Sequence, residues 1–354
     1  MGLHGVDFVL PFSECVVYMA LSLPDALVLL GRWLQETGYR FTAITPASHA
    51  RVNARSGAGA ARSLRDVFGW SRPFVPGLLP RNALDWLRSG GLVEESGGLL
   101  RSRVRFASLG RVLYAHSAYP TVEAEAVFFG PDTYRFAALI EAELQSRPLG
   151  PGARILDIGC GAGPGGMTAA LACPAAQPEL LLADINPRAL EFARANAALA
   201  GLAGTSLQQS NLFESLEGRF ELIVANPPYL VDAGERTYRH GGGPLGSGLS
   251  LRIVQPDAAG ARWPADAVHR RAHRRGPRPL PERGGAMLER AGCPFSYCEI
   301  DPDVFGEELD APAYADTERI AAVALVAAAP GSTGLDSADA AGRSTPTGNS
   351  ATNL

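Results

Sequence analysis

The chain has 354 residues, of which 46% are apolar and 19% are charged, so it is long enough to bury a sizeable core and to form two domains. No stretch approaches the roughly 18 uninterrupted apolar residues of a membrane helix. The first residues also lack the basic start and the small-residue cleavage site of an export signal. The 5 cysteines show no metal-ligand spacing. We therefore expect reduced thiols, no metal, no membrane contact and a cytoplasmic location.

The formal net charge of −4 is unevenly distributed along the chain. All 32 basic residues are arginines, which we attribute to a GC-rich genome. Residues 40–111 contain twelve arginines and four acids, whereas residues 299–319 contain eight acids and one arginine. A stretch with a charge of +8 can face the phosphates of a nucleic acid. Solvated surface arginines are the simpler alternative.

Residues 1–125 predict an accessory domain that mixes helices and strands. An amphipathic helix over residues 24–37 and a capped helix over 82–89 precede two or three strands between residues 92 and 117. This order favours a winged-helix-like or small α+β domain with a role in substrate recognition. Residues 1–18 fit poorly with the helical pattern after them, so Met19 is an alternative start to Met1.

A second domain is predicted over residues 126–330. It opens with the stretch VFFGPDTYRF, in which Asp132 or Thr133 can cap a helix that runs to about Gln145. A helix cap alone is one interpretation of these two residues, and a role in ligand binding is the other.

Residues 154–166, RILDIGCGAGPGG, are the stretch around which the second domain is organised. They predict a buried parallel strand that ends near Asp157, followed by a glycine-dense turn into a helix. Gly159, Gly161 and Gly163 allow the backbone to turn sharply against a nucleotide-like ligand. Such turns are weak evidence alone, because dinucleotide-binding folds and ordinary tight turns also use them.

Polar residues follow the next predicted strands as well. A strand over residues 179–185 carries Asp184 near its end, where a carboxylate can accept hydrogen bonds from ribose hydroxyls. A third strand over about 206–213 carries Asn211 and Leu212. A fourth over 220–225 leads directly into the tetrapeptide Asn226-Pro227-Pro228-Tyr229.

The order ILDIGCGAG, LLADIN and VANPPY resembles the class I S-adenosylmethionine-dependent methyltransferases, and in particular the small-domain, HemK-like N-methyltransferases. That group includes release-factor glutamine methyltransferases and several ribosomal RNA guanine methyltransferases. The resemblance covers about residues 127–251 and resumes over about 284–329. It implies an α/β fold with a Rossmann-like, mostly parallel sheet whose last strand is antiparallel.

The resemblance also implies roles for individual residues. Asp157 would lie near the methionine amino group of the cofactor, Asp184 at the ribose, and Asn211 at the adenine amine, where related enzymes often carry Asp. The backbone around Gly159, Gly161 and Gly163 would approach the cofactor closely. The remaining predicted cofactor-binding residues are Asp132, Thr133, Ile185 and Leu212.

The tetrapeptide indicates the methyl acceptor. A planar NH2 on a carboxamide or a base is a poor nucleophile because its lone pair is delocalised. The side-chain carbonyl of Asn226 and the backbone carbonyl of Pro227 can each accept one N–H and so aim the lone pair at the methyl group. Pro228 helps to fix that backbone, and Tyr229 offers an aromatic face for a flat group. A simple turn after a strand is the alternative.

The fold pattern fails between residues 256 and 283, where an apolar fifth strand is expected and the chain is instead rich in Arg and Pro. A basic nucleic-acid-binding insert and disorder are two interpretations. We prefer a third hypothesis, two compensating frame changes, because suitable codons read one base later encode a helix end, a glycine turn and an apolar strand. If the printed sequence is genuine, the sheet is expected to lack a central strand.

The expected ending returns after residue 284. A helix over GAMLERAG, a strand over residues 295–300 and a closing strand over 320–329 are predicted. The acidic stretch 301–318 between the two strands is most simply a solvated loop, and residues 331–354 have the composition of a disordered tail. The resemblance implies that the glycine-rich stretch 230–248, which follows the catalytic strand, covers the substrate, and a loose connector is the alternative.

Together these patterns predict a cytoplasmic S-adenosylmethionine-dependent N-methyltransferase that modifies an exocyclic amino or carboxamide nitrogen. An RNA base is the favoured substrate because of the basic accessory region. A glutamine of a ribosomal or translation-factor protein is the alternative substrate. A non-catalytic binding module on the same fold is the alternative of another class.

Overall fold

The computed structural model describes residues 21–202, 204–231, 239–242, 246–255 and 283–330, together with the backbone of residues 265–274. Two predictions lie outside the described residues: the choice between Met1 and Met19 as the start, and the tail over 331–354. No helix in the described ranges has the length and apolar character needed to span a bilayer.

The N-terminal region consists of short helices followed by two hairpins. Helix α1 begins where the Ser22 side chain accepts a hydrogen bond from the Asp25 amide at 3.2 Å. The predicted small sheet is instead two separate two-stranded sheets, each antiparallel. The elements are α1 (Leu23–Glu36), α2 (Pro46–Asn53), α3 (Leu64–Phe68), α4 (Arg81–Ser89), β1 (Val93–Ser96), β2 (Leu99–Ser102), β3 (Val104–Leu109) and β4 (Val112–Ser117).

The rest of the described chain alternates strands and helices. The elements are α5 (Pro131–Ser146), β5 (Arg154–Ile158), α6 (Pro164–Ala172), β6 (Glu179–Asp184), α7 (Pro187–Leu199), β7 (Ser206–Gln209), β8 (Leu222–Ala225), α8 (Gly248–Val254), β9 (Ala265–Arg274), α9 (Gly285–Arg290), β10 (Phe295–Asp301) and β11 (Thr317–Ala327).

The strands form one seven-stranded sheet in the order β7-β6-β5-β8-β9-β11-β10. Neighbouring strands from β7 to β9 pair in parallel, and β11 pairs antiparallel to both β9 and β10. The strand order reverses beside β5, so the carboxyl ends of β5 and β8 diverge into a crevice, where α/β sheets bind ligands. The predicted Rossmann-like, mostly parallel sheet with an antiparallel last strand is confirmed.

The expectation of a missing fifth strand is wrong for residues 265–274. Strand β9 pairs with β8 from Ala265 to Ala267 and with β11 along most of its length. A gap between β8 and β11 would leave backbone N–H and C=O groups unpaired on both of those strands, and backbone pairing does not depend on an apolar sequence. The flanking residues 256–264 and 275–282 lie outside the described part.

The N-terminal region packs against the large sheet through α7. The largest buried apolar cluster includes Leu27 and Phe106 from the first part of the chain and Phe192 from α7. The fully buried Asn196 of α7 accepts a hydrogen bond from the Ala115 amide at 2.7 Å and donates to the Ala115 carbonyl at 3.0 Å. This contact fixes β4 against the helix and therefore positions the N-terminal region relative to the crevice.

Candidate active site

A cavity of about 710 Å³ opens above the carboxyl ends of β5, β6 and β8. Its walls bring together residues that are far apart in the sequence, from Pro46 to Glu308. Every residue predicted for the site except Gly163 lines this cavity. These residues are Asp132, Thr133, Asp157, Gly159, Gly161, Asp184, Ile185, Asn211, Leu212, Asn226, Pro227, Pro228 and Tyr229.

The glycine turn after β5 needs glycine for two different reasons. Gly159 and Gly161 have φ values of +64° and +54°, in the left-handed region, and an added Cβ at either position would meet nothing within 4 Å. Backbone conformation alone therefore selects glycine there. Gly163, with φ +84°, is also crowded, since a Cβ would lie 3.1 Å from Leu182. It begins α6 below the cavity instead of lining it.

Asp157 is the last residue but one of β5, and its carboxyl group is fully buried. Its Oδ2 accepts a hydrogen bond from the Gly166 amide in the first turn of α6 at 2.7 Å. Burial raises the pKa of Asp157 to about 7, and the nearby charge of Asp184 adds to this increase, while the Gly166 hydrogen bond opposes it. A cationic group that enters this end of the cavity would favour the ionised form.

Asp184 ends β6 and holds two backbone amides. Its Oδ2 accepts from Gly161 and its Oδ1 accepts from Asn186, each at 2.8 Å. Burial raises the pKa of this carboxyl as well, against the effect of both hydrogen bonds. Next to it, Ile185 leaves 49% of its surface exposed although it is a large apolar residue in the cavity wall. A carboxylate beside an uncovered apolar side chain suits a ligand with a hydroxylated part and a flat apolar part.

The third strand is shorter than predicted, since β7 ends at Gln209. Asn211 and Leu212 lie in the turn after it. The Asn211 amide nitrogen donates to Glu214 at 2.8 Å, and Leu212 adopts a left-handed conformation with φ +54°. Both residues line the cavity from this turn.

Asn226 follows β8 and meets the first turn of α5. Its Nδ2 lies 3.5 Å from Oδ2 of Asp132, which is 7% exposed. Thr133 supports this turn, because its hydroxyl accepts a hydrogen bond from the Gly130 amide at 3.3 Å. Asp132 and Thr133 are therefore both parts of a helix start and parts of the cavity wall.

The tetrapeptide 226–229 and the residues just after it are held by two contacts. The hydroxyl of the buried Tyr314 accepts a hydrogen bond from the Val231 amide at 2.8 Å. Gly241 and Gly246 pack so closely that a Cβ on either would overlap the backbone of Pro228 or Tyr229. Tyr229 itself packs against Phe305, with ring centroids 6.1 Å apart.

Local sequence patterns did not identify the part of the cavity wall that residues 305–308 form. Phe305, Glu307 and Glu308 line the cavity, and Glu308 forms an ion pair with Arg239, which lines it beside His240. The interpretation of residues 301–318 as a solvated loop is wrong, because the connection folds into two short 3-10 turns that bury Tyr314. The apolar residues Val304, Phe305, Leu309 and Tyr314 within this acidic stretch were a signal of packing in the sequence.

The N-terminal region supplies a second unexpected wall. Pro46, Ala47 and Ala50 of α2 line the cavity together with Tyr119. The ring of His49 stacks on Tyr119 at 4.1 Å, and its Nε2 lies 2.9 Å from the Trp70 carbonyl. In the described ranges no three His, Cys, Asp or Glu side chains converge in a way that could hold a metal ion.

Comparison with known families gives one match over the second domain. The family described as Methyltransferase small domain matches residues 127–254. Two relatives, both called Ribosomal RNA small subunit methyltransferase C, come from Salmonella arizonae and Salmonella newport. Each is 39% identical over 107 residues, which is 28% of this chain and 30% of the relative. The chain therefore aligns with less than a third of the length of these curated relatives.

Solved structures resemble the chain at low sequence identity. A SAM-dependent methyltransferase from Agrobacterium tumefaciens is 16% identical with a TM-score of 0.40, covering 72% of this chain and 80% of that one. TYW2 from P. horikoshii, in complex with MeSAdo, is 13% identical with a TM-score of 0.41, covering 64% and 72%.

Proposed function

We propose that this chain, whose residues 127–254 belong to the methyltransferase small domain family, methylates an exocyclic nitrogen of an RNA base. That membership confirms the predicted class I, S-adenosylmethionine-dependent methyltransferase domain. The identity of the methylated nitrogen, the RNA substrate and a cytoplasmic site of action belong to the proposal.

The residues of the cavity suit S-adenosylmethionine. When bound, this cofactor supplies an electrophilic methyl group on a sulfonium. The buried carboxyl of Asp157 would face its amino group, and Asp184 would accept hydrogen bonds from its ribose hydroxyls. The uncovered side chain of Ile185 would contact the adenine, with Asn211 and Leu212 on the neighbouring turn.

The acceptor nitrogen would be held by the tetrapeptide 226–229. The carbonyl oxygens of Asn226 and Pro227 would each accept one N–H of the substrate, so that the nitrogen lone pair points toward the methyl group. Tyr229 would provide the flat contact. The protein then contributes position and electrostatics, which are the effects that an in-line displacement requires. We expect no general base, because the amine can release its proton to water after transfer.

The observation that carries the proposal is the position of Asn226. It lines the same cavity as the Gly159–Gly161 turn, although 65 residues separate it from Gly161. An asparagine that served only as a turn residue would not need to share a cavity with a glycine turn of this kind. The support for RNA is the charge of the N-terminal region and the name of the two relatives.

The proposal is tested in two steps. Calorimetry first measures S-adenosylmethionine binding, and the second step measures tritium transfer from labelled cofactor to unmodified 16S ribosomal RNA and to total ribosomal and release-factor protein. The expected result is that the wild-type protein transfers label to RNA and that the control variant Asn226→Ala does not. Label found in protein alone would indicate that the substrate is a glutamine of a protein and not an RNA base. Cofactor binding without transfer to either pool would indicate a binding module.

A further inference from the structure

Helix α2 forms one rim of the cavity and carries positive charge. Ala47 and Ala50 line the cavity, and Arg51 lies four residues after Ala47, so it shares that face one turn further along. Arg55 follows the helix end. Both arginine side chains are exposed. We call Arg51 and Arg55 the α2 edge.

The charge of the α2 edge is not neutralised within the protein. No Asp or Glu occurs between Arg40 and Arg65, and neither Arg51 nor Arg55 has an ion-pair partner among the residues that the structure describes. Arginines elsewhere in the same region do have partners, such as Arg72 with Asp66 at 2.5 Å. The α2 edge is therefore available for an anion from outside.

Another part of the cavity wall carries negative charge. Glu307 and Glu308 line the cavity within a stretch of eight acids and one arginine over residues 299–319, and Glu308 is paired with Arg239. A polyanion that approaches the cavity would be attracted to the α2 edge and repelled from the exposed carboxylate of Glu307.

Helix α2 is also fixed relative to Asn226. The Ala43 amide, just before the helix, donates to the Tyr134 hydroxyl at 2.9 Å. Tyr134 lies two residues after Asp132, which contacts Asn226. Within the helix, the buried His49 is held by Trp70 and Tyr119. An anion bound at the α2 edge would therefore lie at a set distance from the acceptor site.

We propose that the α2 edge binds backbone phosphates of a single-stranded RNA segment whose target base enters the cavity. This inference rests on the proposed function. A single strand is required because a base must leave its stack for its amino group to reach Asn226. The phosphates then run along α2, and the base enters the cavity toward Asn226.

Fluorescence anisotropy with a labelled 20-nucleotide mixed-sequence RNA tests the α2 edge in the full chain. We expect Arg51→Gln with Arg55→Gln to weaken binding by at least about fivefold. The slope of log K against log salt should fall by about 1.4, since each lost phosphate contact on a single strand contributes about 0.7. The matched control is Arg88→Gln with Arg111→Gln. Arg88 lies in the last turn of α4, as Arg51 does in α2, but neither α4 nor the turn around Arg111 contributes a residue to the cavity wall, whereas α2 does.

Equal effects of the two double variants, or no change in the salt slope, would overturn the inference. Melting followed by circular dichroism distinguishes a folding defect from a loss of RNA binding. An unchanged cofactor affinity in calorimetry shows that the cavity is intact in the variants. An α2-edge variant that loses methyl transfer to protein but binds RNA normally would assign the edge to an acidic protein instead. Failure of the wild-type chain to methylate RNA would count against the proposed function. The anisotropy result would still test whether the α2 edge binds phosphates.

Discussion

Asn226 and Asp132 face each other in the cavity, with 3.5 Å between the amide nitrogen of the first and a carboxylate oxygen of the second. Ninety-four residues separate them in the sequence. A carboxylate accepts hydrogen bonds and cannot donate them when ionised, so it favours the orientation in which the Asn226 nitrogen points toward it. The amide oxygen of Asn226 is then left for the N–H of a substrate.

This contact predicts that Asp132→Ala lowers kcat while cofactor affinity changes little. Without the carboxylate the Asn226 amide can rotate, and misplacement of a positioning group by about 1 Å can cost about 100-fold in rate. Single-turnover methyl transfer at saturating cofactor measures the effect, and calorimetry measures the cofactor Kd. A raised Kd with an unchanged single-turnover rate would make Asp132 a cofactor ligand, as the resemblance implied. The double variant Asp132→Ala with Asn226→Ala should lose much less rate than the sum of the two single effects in free energy, because both act through Asn226.

Asp184→Asn is predicted to weaken S-adenosylmethionine binding by about 10- to 100-fold. Charge-assisted hydrogen bonds contribute about 1.5–3 kcal/mol each, and an asparagine can accept from only one of the two amides that Asp184 holds. Calorimetry measures the loss. Glu179→Gln is the matched control, because Glu179 lies at the other end of β6 with a side chain that is 75% exposed. An equal loss of affinity in both variants would contradict a ribose role for Asp184.

The part of the cavity wall around the glycine turn was predictable because its signals are local. Asp157 and Asp184 lie at the carboxyl ends of neighbouring parallel strands, and parallel strands present these ends at one edge of the sheet. Gly159, Gly161 and Gly163 have the positive φ that a sharp turn requires. Strand and turn thus follow from a few adjacent residues, and the fold class follows from the order of such units.

The parts of the cavity wall formed by α2 and by residues 305–308 were not predictable, because long-range packing decides their positions. Pro46 and Ala50 are ordinary residues of a short helix, and Glu307 belongs to a stretch that has the composition of a loop. Only their final positions make them cavity walls. Strand β9 was missed for a related reason, since its place is fixed by unpaired backbone on β8 and β11 and its own sequence carries no apolar pattern.

Gly246→Ala is predicted to abolish most activity while the fold survives. A Cβ at Gly246 would overlap the Tyr229 carbonyl and displace the tetrapeptide. Gly242→Ala is a matched control, because Gly242 has a similar φ of +65° but nothing within 4 Å of its Cβ position. Both variants place an alanine in the left-handed region at a similar backbone cost of about 1–2 kcal/mol, so only crowding distinguishes them. Methyl-transfer rates and melting temperatures test this, and equal rates in the two variants would contradict tight packing on Tyr229.

Asp157→Asn is predicted to stabilise the cofactor-free protein at pH 8 and to have little effect near pH 4. Burial raises the pKa of Asp157 from 3.8 to about 7, so between these values the folded state binds a proton that the unfolded state has released. Stability therefore decreases as pH rises from about 4 to about 7 and is level above that. At 1.36 kcal/mol per pKa unit the full effect is at most about 4 kcal/mol.

The asparagine removes this cost and can still accept the Gly166 hydrogen bond. Asp184, whose pKa is also raised, adds a decrease of the same sign that the variant retains. Urea unfolding from pH 4 to pH 8 measures the difference between the wild type and Asp157→Asn, and the control Glu179→Gln, which retains Asp157 and changes an exposed side chain, should follow the pH dependence of the wild type. A variant that is equally destabilised at both pH values would show that Asp157 stabilises the fold through its hydrogen bond and carries no charge burial cost.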